Sequence, residues 1–281
     1  MEIEKHWIPT GVQSFDPVIK GGFPAGAFVL LLSEVGAGGS EFMYSSILML
    51  AQLKKEGVRQ KPNYHLPERI VYISFTKSRE NVLQSISTLN IADISALEEM
   101  LTFVDLSSVY FAKTQVPLHW TTDTGGALAL KDFKSGGRHR SLFEALIDTL
   151  ETLAPHSLVV IDSLTDLLRS SSSDNLSWAD LVSLLKGIER MSKLWNATVY
   201  ASLTANIFEP CKEEEVMDCV DGVLVFGWQS TGANQRQRMM YIKKFRGLMP
   251  FLEEDNVVQF ETRVSASHGF EMSNIREIIG R

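Results

Sequence analysis

Residues Leu30 to Phe42, LLLSEVGAGGSEF, have the types and spacing of a phosphate cradle with one member missing. Three glycines, Gly36, Gly38 and Gly39, follow the apolar run AFVLLL and precede the helix-like run EFMYSSILMLAQL. A phosphate-binding loop of this kind reads Gly, four residues, Gly-Lys-Ser/Thr. Its backbone cradles the anion, its lysine reaches the β- and γ-phosphates, and its last hydroxyl binds Mg²⁺. Here the same positions read SEVGAGGS: Ser33 stands for the first glycine and Gly39 for the lysine, and only Gly38 and Ser40 fit. Gly36 and Gly38 still allow close backbone approach, and a helix opening near Ser40 aims N–H groups and a positive dipole end at an anion. The missing lysine removes charge-assisted contacts that contribute roughly 1.5–3 kcal/mol each. Glu34 and Glu41 add negative charge where a triphosphate would lie, and a carboxylate there is favourable only while no other anion is present. The loop reads as one built to be stable empty.

The elements that must position this loop follow from punctuation and periodicity. Residues 10–26, TGVQSFDPVIKGGFPAG, are rich in turn formers. The continuously apolar strand Ala27–Leu32 comes next, then a helix to about Lys55. PERIVYISF is a second strand, SRENVLQSISTL a helix capped by Ser78, and LTFVDL a third strand. From Ser107 to Arg140 the pattern dissolves into polar, Gly-containing sequence, an expected mobile excursion. SLFEALIDTLETLAP is an amphipathic helix with Leu142, Leu146, Leu150 and Leu153 on one side, and SLVVIDSL is the clearest buried strand. SWADLVSLLKGIERMSKLWN is a long helix and ATVYASLT a strand; GVLVFGW, RMMYIKKF and NVVQFET follow without a long helix between them. Strands alternating with helices, then consecutive strands, imply an α/β fold: a mainly parallel central sheet flanked by helices, with antiparallel C-terminal strands. A single domain is expected over residues 1–281, with its core at about 8–272 and the excursion at 107–140.

Composition narrows the function classes. The chain has 281 residues, 44% of them hydrophobic and 22% charged, an ordinary globular balance. No apolar run approaches the ~20 residues that span a bilayer, and MEIEKHW is unlike a signal peptide, so a cytoplasmic protein without membrane insertion is expected. A net charge of −7 argues against nucleic acid and anionic membranes as partners. Two basic stretches, KDFKSGGRHR (Lys131–Arg140) and RQRMMYIKKFR (Arg236–Arg246), are local exceptions. Cys211 and Cys219 match no zinc or redox spacing, and the six histidines are scattered. Reduced thiols and no structural metal are the expectation.

In order along the chain, TGVQSFDPVIKGGFPAG, the glycine loop, SLVVIDSLTDLL and KKFRG resemble KaiC-like and RadA-like ATPases of the RecA superfamily, over roughly residues 8–272. The resemblance implies a RecA-like P-loop fold. It implies ATP and Mg²⁺ as cofactors, here weakened, at the C-terminal ends of parallel strands and between neighbouring subunits of a ring or filament. Gly36, Gly38, Gly39 and Ser40 take the nucleotide positions; Ser40 and Asp162 would serve Mg²⁺ if a Mg-nucleotide binds, unless Asp162 merely caps the turn after its strand. The paired glutamates that act on the attacking water are replaced by Thr76 and Lys77, neither of which is a base at neutral pH. Glu80, a turn later, reads as a solvated helix residue. Lys77 is either an exposed loop lysine or a source of the charge lost at Gly39. Lys244 and Arg246 match the two cations that reach a neighbour's γ-phosphate in trans; as an alternative, they guard an edge strand.

No catalytic residue is intact on this reading. The expected function is therefore a non-hydrolysing pseudo-ATPase, a regulatory or assembly module forming a homo-oligomer or joining related RecA-fold subunits or another protein. A divergent KaiC-like ATPase with slow turnover is the alternative. A DNA-binding recombinase relative comes third, opposed by the acidic charge and the lack of a helix-hairpin-helix region.

Overall fold

The computed structural model describes residues 7–57, 65–112, 114–121, 141–170, 176–230, 236–250 and 259–276. Two short strands, β1 (Trp7–Ile8) and β2 (Phe23–Pro24), pair antiparallel and tie down the turn-rich opening segment. Between them the Asp16 carboxylate accepts from the Thr10 N–H at 2.8 Å, the Thr10 hydroxyl at 2.6 Å and the Gly11 N–H at 3.1 Å. Burial nonetheless raises the Asp16 carboxyl above the usual range, against the pull of these bonds. Gly22 runs so close to β1 that a Cβ there would lie 2.2 Å from the Ile8 carbonyl oxygen. The Thr-Gly pair is thus explained by its hydrogen bonds to Asp16, and the Gly-Gly pair by the close backbone approach at Gly22.

The main sheet has nine strands: β3 (Phe28–Ser33), β4 (Arg69–Ser74), β5 (Leu101–Asp105), β6 (Ser157–Asp162), β7 (Thr198–Thr204), β8 (Gly222–Ser230), β9 (Arg236–Phe245), β10 (Gln259–Ser265) and β11 (Gly269–Arg276). Their order is β11-β10-β9-β8-β3-β7-β6-β4-β5. The run from β8 to β5 is parallel, and β8, β9, β10 and β11 pair antiparallel. The expected architecture holds.

Continuous apolar strands arise because the sheet is covered on both faces. Val29 and Leu31 of β3 enter one core with α1 (Gly39–Lys55), α2 (Arg79–Ser87) and α3 (Ile94–Met100). Phe28, Leu30 and Leu32 enter the other, with α4 (Ser107–Phe111), α5 (Leu142–Leu153), α6 (Leu164–Ser170), α7 (Trp178–Trp195) and α8 (Pro210–Asp218). Capping boxes start α5 at Ser141/Glu144 and α7 at Ser177/Asp180. Ser78 caps α2 as expected, its hydroxyl accepting from the Asn81 N–H at 3.3 Å.

Several elements exceed the sequence reading. The short helices α3, α6 and α8, and the last strand β11, are additions. Within the expected excursion, Ser107–Phe111 is helical and Ser107 is buried; residues 122–140, including the basic run from Lys131, lie outside the described residues. No helix among the described residues is long and apolar enough to cross a membrane. Cys211 is exposed, Cys219 buried, and both are free.

Two packing features place the site. The ring of Phe42, in the first turn of α1, meets Phe15, Phe226 and Phe270 at centroid distances of 5.8, 5.6 and 5.4 Å. These contacts pin the helix start to β8 and β11. Ser33 ends opposite Thr204, and Ser74 opposite Asp162, so the loop and Asp162 open at the same edge. Only β7 separates their strands, a spacing of roughly 9–10 Å.

Candidate nucleotide site

Gly36 and Gly38 adopt φ of +73° and +112°, the left-handed region that the loop needs glycine for. Gly38 caps α1 without any side-chain bond, and Glu41 lies in the first turn. Among the described residues, the N–H groups of Gly36, Gly38, Gly39 and Ser40 have no protein acceptor. Gly39 adds something the sequence reading missed. A Cβ at that position would lie 2.7 Å from the Ser33 Cβ and 2.9 Å from its hydroxyl. Ser33 and Gly39 are therefore sterically coupled: the Ser33 side chain fills the space where the stem of a residue at position 39 would begin. The Ser33 hydroxyl donates to the Glu34 carbonyl at 2.9 Å, which fixes it there.

Two further residues hold the loop from the antiparallel flank. The Trp228 indole N–H donates to the Val35 carbonyl at 3.1 Å, and Arg238 Nε donates to the Gly36 carbonyl at 2.9 Å. Trp228 and Arg238 are direct partners across β8 and β9, and the guanidinium lies 4.8 Å from the centroid of the indole ring. The stretch from Arg236 was noticeable for its cations, but Arg238's role depends on a long-range register that no local pattern reveals.

The second centre surrounds Asp162, only 5% exposed at the end of β6 and joined to Ser163 by a cis peptide. Its Oδ2 accepts from the Lys77 ammonium at 2.7 Å and the Tyr72 hydroxyl at 2.5 Å, and its Oδ1 from the Ser202 hydroxyl at 3.2 Å. Lys77 is aimed by a tight turn: the Ser74 hydroxyl donates to its carbonyl at 2.7 Å and accepts from its N–H at 2.9 Å. Tyr44, one helical turn beyond Ser40, lies close enough to Lys77 and Tyr72 to influence both electrostatically. Burial, the strongest influence on Lys77, disfavours its charge, yet Asp162 and Tyr44 hold its pKa above the ordinary lysine value. Burial and then the Asp162 charge push Tyr72 well up, and burial chiefly raises Tyr44. Asp166 is raised by burial, and the neighbouring Asp162 charge adds to this against a 2.7 Å bond from Ser163. Thr76 is exposed beside this group.

Residues 8–250 match a family model described as ATPase: KaiC. The chain belongs to the KaiC ATPase family. A crystal structure of a KaiC-like protein from the hyperthermophilic archaeon Pyrococcus horikoshii OT3 shares the fold, with a TM-score of 0.62 and 16% identity over 96% of this chain and 100% of that one. A search of curated proteins found no match.

Not every KaiC-family position converges on the loop. Lys244 lies opposite Val223 near the start of β8, at the far end of the sheet from the loop. Its ammonium donates to the carbonyls of Met217 and Asp218, at 3.1 and 2.9 Å, closing the end of α8. Arg246 lies just past β9 and pairs with Glu189 at 3.0 Å. Both side chains face the α7–α8 layer, the same-face arrangement expected of them. A register shift between Val223 and Leu224 also brings Lys243 to that layer, against Glu214.

The KaiC family implies Mg-ATP, and the two halves of this site fit it unequally. The loop's N–H groups suit an anion. The Asp162 donor set does not suit Mg²⁺, which needs near-octahedral oxygen coordination at about 2.0–2.1 Å. Both oxygens are already hydrogen-bonded, and an ammonium shares the one that Tyr72 uses. Ser40 is exposed at the helix start.

Proposed function

We propose that this KaiC-family protein is a pseudo-ATPase, a RecA-fold assembly or regulatory module that does not turn ATP over. The observation that carries this reading is the packing of Ser33 into the space over Gly39, at 2.7 Å from any Cβ there. A loop shaped around a glycine at the lysine position lacks the cation and the room for it. Thr76 and Lys77 supply no carboxylate for the attacking water, so an anion in the loop would meet backbone donors and no base. ATP is then at most a weak ligand.

Phosphate release tests the reading directly. The wild type should release none above background, where competent enzymes turn over at ~1 s⁻¹ or faster. Gly39→Lys alone should fail to improve ATP affinity because its stem meets Ser33. Ser33→Gly/Gly39→Lys should bind ATP measurably tighter in calorimetry and still hydrolyse none. Robust wild-type turnover abolished by Asp162→Asn would refute the proposal and favour the divergent ATPase.

The assembly part of the reading is head-to-tail association, with Glu34 and Glu41 of one copy supplying the charge that ATP supplies in active relatives. The Lys244/Arg246 end of the next copy would receive it. Such a contact is heterologous and continues as a ring or filament. Light scattering at low and high salt, without nucleotide, should show association that weakens with salt. Glu34→Lys/Glu41→Lys touches no ion pair among the described residues and should abolish it. A wild type monomeric at low salt would refute this part alone.

A further inference from the structure

We infer that Lys77 is the resident counter-cation of Asp162, standing in for the divalent metal that the family's site implies, so that any phosphate-bearing anion in the loop is bound without metal. This deepens the pseudo-ATPase reading by naming the ionic form of the ligand, and it can fail while that reading survives.

The geometry makes the replacement specific. Among the described residues, the Asp162 side chain accepts only from side chains: the Lys77 ammonium, the Tyr72 hydroxyl and the Ser202 hydroxyl. A buried carboxylate needs a compensating positive charge, and Lys77 supplies one unit against one. The Ser74 hydroxyl locks the Lys77 backbone on both its N–H and its carbonyl, which sets where the partly exposed side chain starts. The ammonium itself reaches across to Asp162 Oδ2 at the end of β6. The pair thus joins the turn that follows β4 to the end of β6, beside the glycine loop where a metal would otherwise sit. A divalent ion would bring two positive charges to a pair that is already neutral; at Oδ2 it would have to displace Lys77 and Tyr72, and at Oδ1 the Ser202 hydroxyl. A polyphosphate arriving as Mg-ATP would therefore gain nothing from its metal at Asp162.

Mn²⁺ provides the probe, since its binding is read by electron paramagnetic resonance and by thermal shift without any turnover. Wild-type protein should show no saturable Mn²⁺ site that Asp162→Asn removes, and any ATP affinity should change less than twofold between Mg²⁺ and EDTA. Lys77→Met keeps the stem and deletes the charge. It should gain a saturable Mn²⁺ site and a Mn²⁺-dependent rise in melting temperature, both lost in Lys77→Met/Asp162→Asn. A wild-type Mn²⁺ site abolished by Asp162→Asn would overturn the inference, as would equal Mn²⁺ responses in the single and double variants. If Lys77→Met does not fold, the wild-type comparison with Asp162→Asn decides alone. If no nucleotide binds at all, the metal titrations still decide.

Discussion

Asp162 and Asp221 are buried carboxylates near opposite ends of the same sheet, each paired with lysine, yet they are held in different ways. Asp221 precedes β8; its Oδ2 accepts the Phe28 backbone N–H at 2.9 Å together with the Lys193 ammonium, and Arg246 lies 3.7 Å from its other oxygen. Its own carbonyl accepts the Arg246 N–H. That carboxylate stitches the start of β3 to β8 and cannot be released without breaking strand ends. Among the described residues, the Asp162 carboxylate accepts from side-chain donors alone. Of these, the partly exposed Lys77 can leave with the strands intact, whereas the Tyr72 ring is packed in the core against Phe103. A carboxylate fixed by main-chain donors belongs to the fold, whereas one fixed by side chains is available for a site to change.

Substitutions should separate the two. Asp221→Ala strands a buried N–H and leaves two cations short of a partner, so it should cost roughly 3 kcal/mol, the lower end for a buried pair because its cations are partly solvated. Urea denaturation measures it. Adding Lys193→Met should recover little, since the Phe28 N–H stays unpaired. Lys77→Met should cost less, about 1–2 kcal/mol after allowance for the lysine's partial exposure. Adding Asp162→Asn should recover most of that, a coupling that a double-mutant cycle reads out. If Asp221→Ala cost no more than Lys77→Met, the distinction between main-chain and side-chain anchoring would collapse.

A smaller effect sharpens the picture at the Asp221 end. Glu189 is disfavoured as an anion by burial, but Lys193, with help from Arg246, draws its pKa below the usual glutamate value. A depressed folded value means stability that is present above the unfolded value and lost as pH falls through the folded one. Glu189→Gln should therefore flatten the acid limb of stability below about pH 4.5 by a few tenths of a kcal/mol, the scale of a partly exposed pair. Thermal melts between pH 3 and 7 should show no difference between wild type and variant in slope on the neutral side.

Much of the fold was legible because its strands are continuously apolar: SLVVID and FVLLLS can only be buried on both faces. The elements that escaped lacked such signals. The sequence PCKEEEVMD of α8 is mostly charged, with only Glu213, Val216 and Met217 buried, and α3 buries just Ala96 and Leu97. At the site, residue types were readable and partnerships were not. Ser33 and Gly39 stood out as two departures from a pattern, while their shared space is a fact of packing. Lys77 was readable as an unusual cation, but its choice of Asp162 depends on β4 lying beside β6 and on the Ser74 turn. Trp228 and Arg238 became loop partners only through the pairing of β8 with β9.

That last pairing has an optical consequence. The Trp228 indole gives its N–H to the loop at Val35 and its face to the Arg238 guanidinium, which also grips Gly36. Any rearrangement of the loop must alter the polarity around that ring, its hydrogen bond, or its distance from a nearby charge. Each of these shifts or quenches indole emission. With the other four tryptophans (Trp7, Trp120, Trp178 and Trp195) replaced by phenylalanine, the protein would carry its own fluorescent gauge of the glycine loop. The state of a site expected to produce no chemistry could then be followed by light.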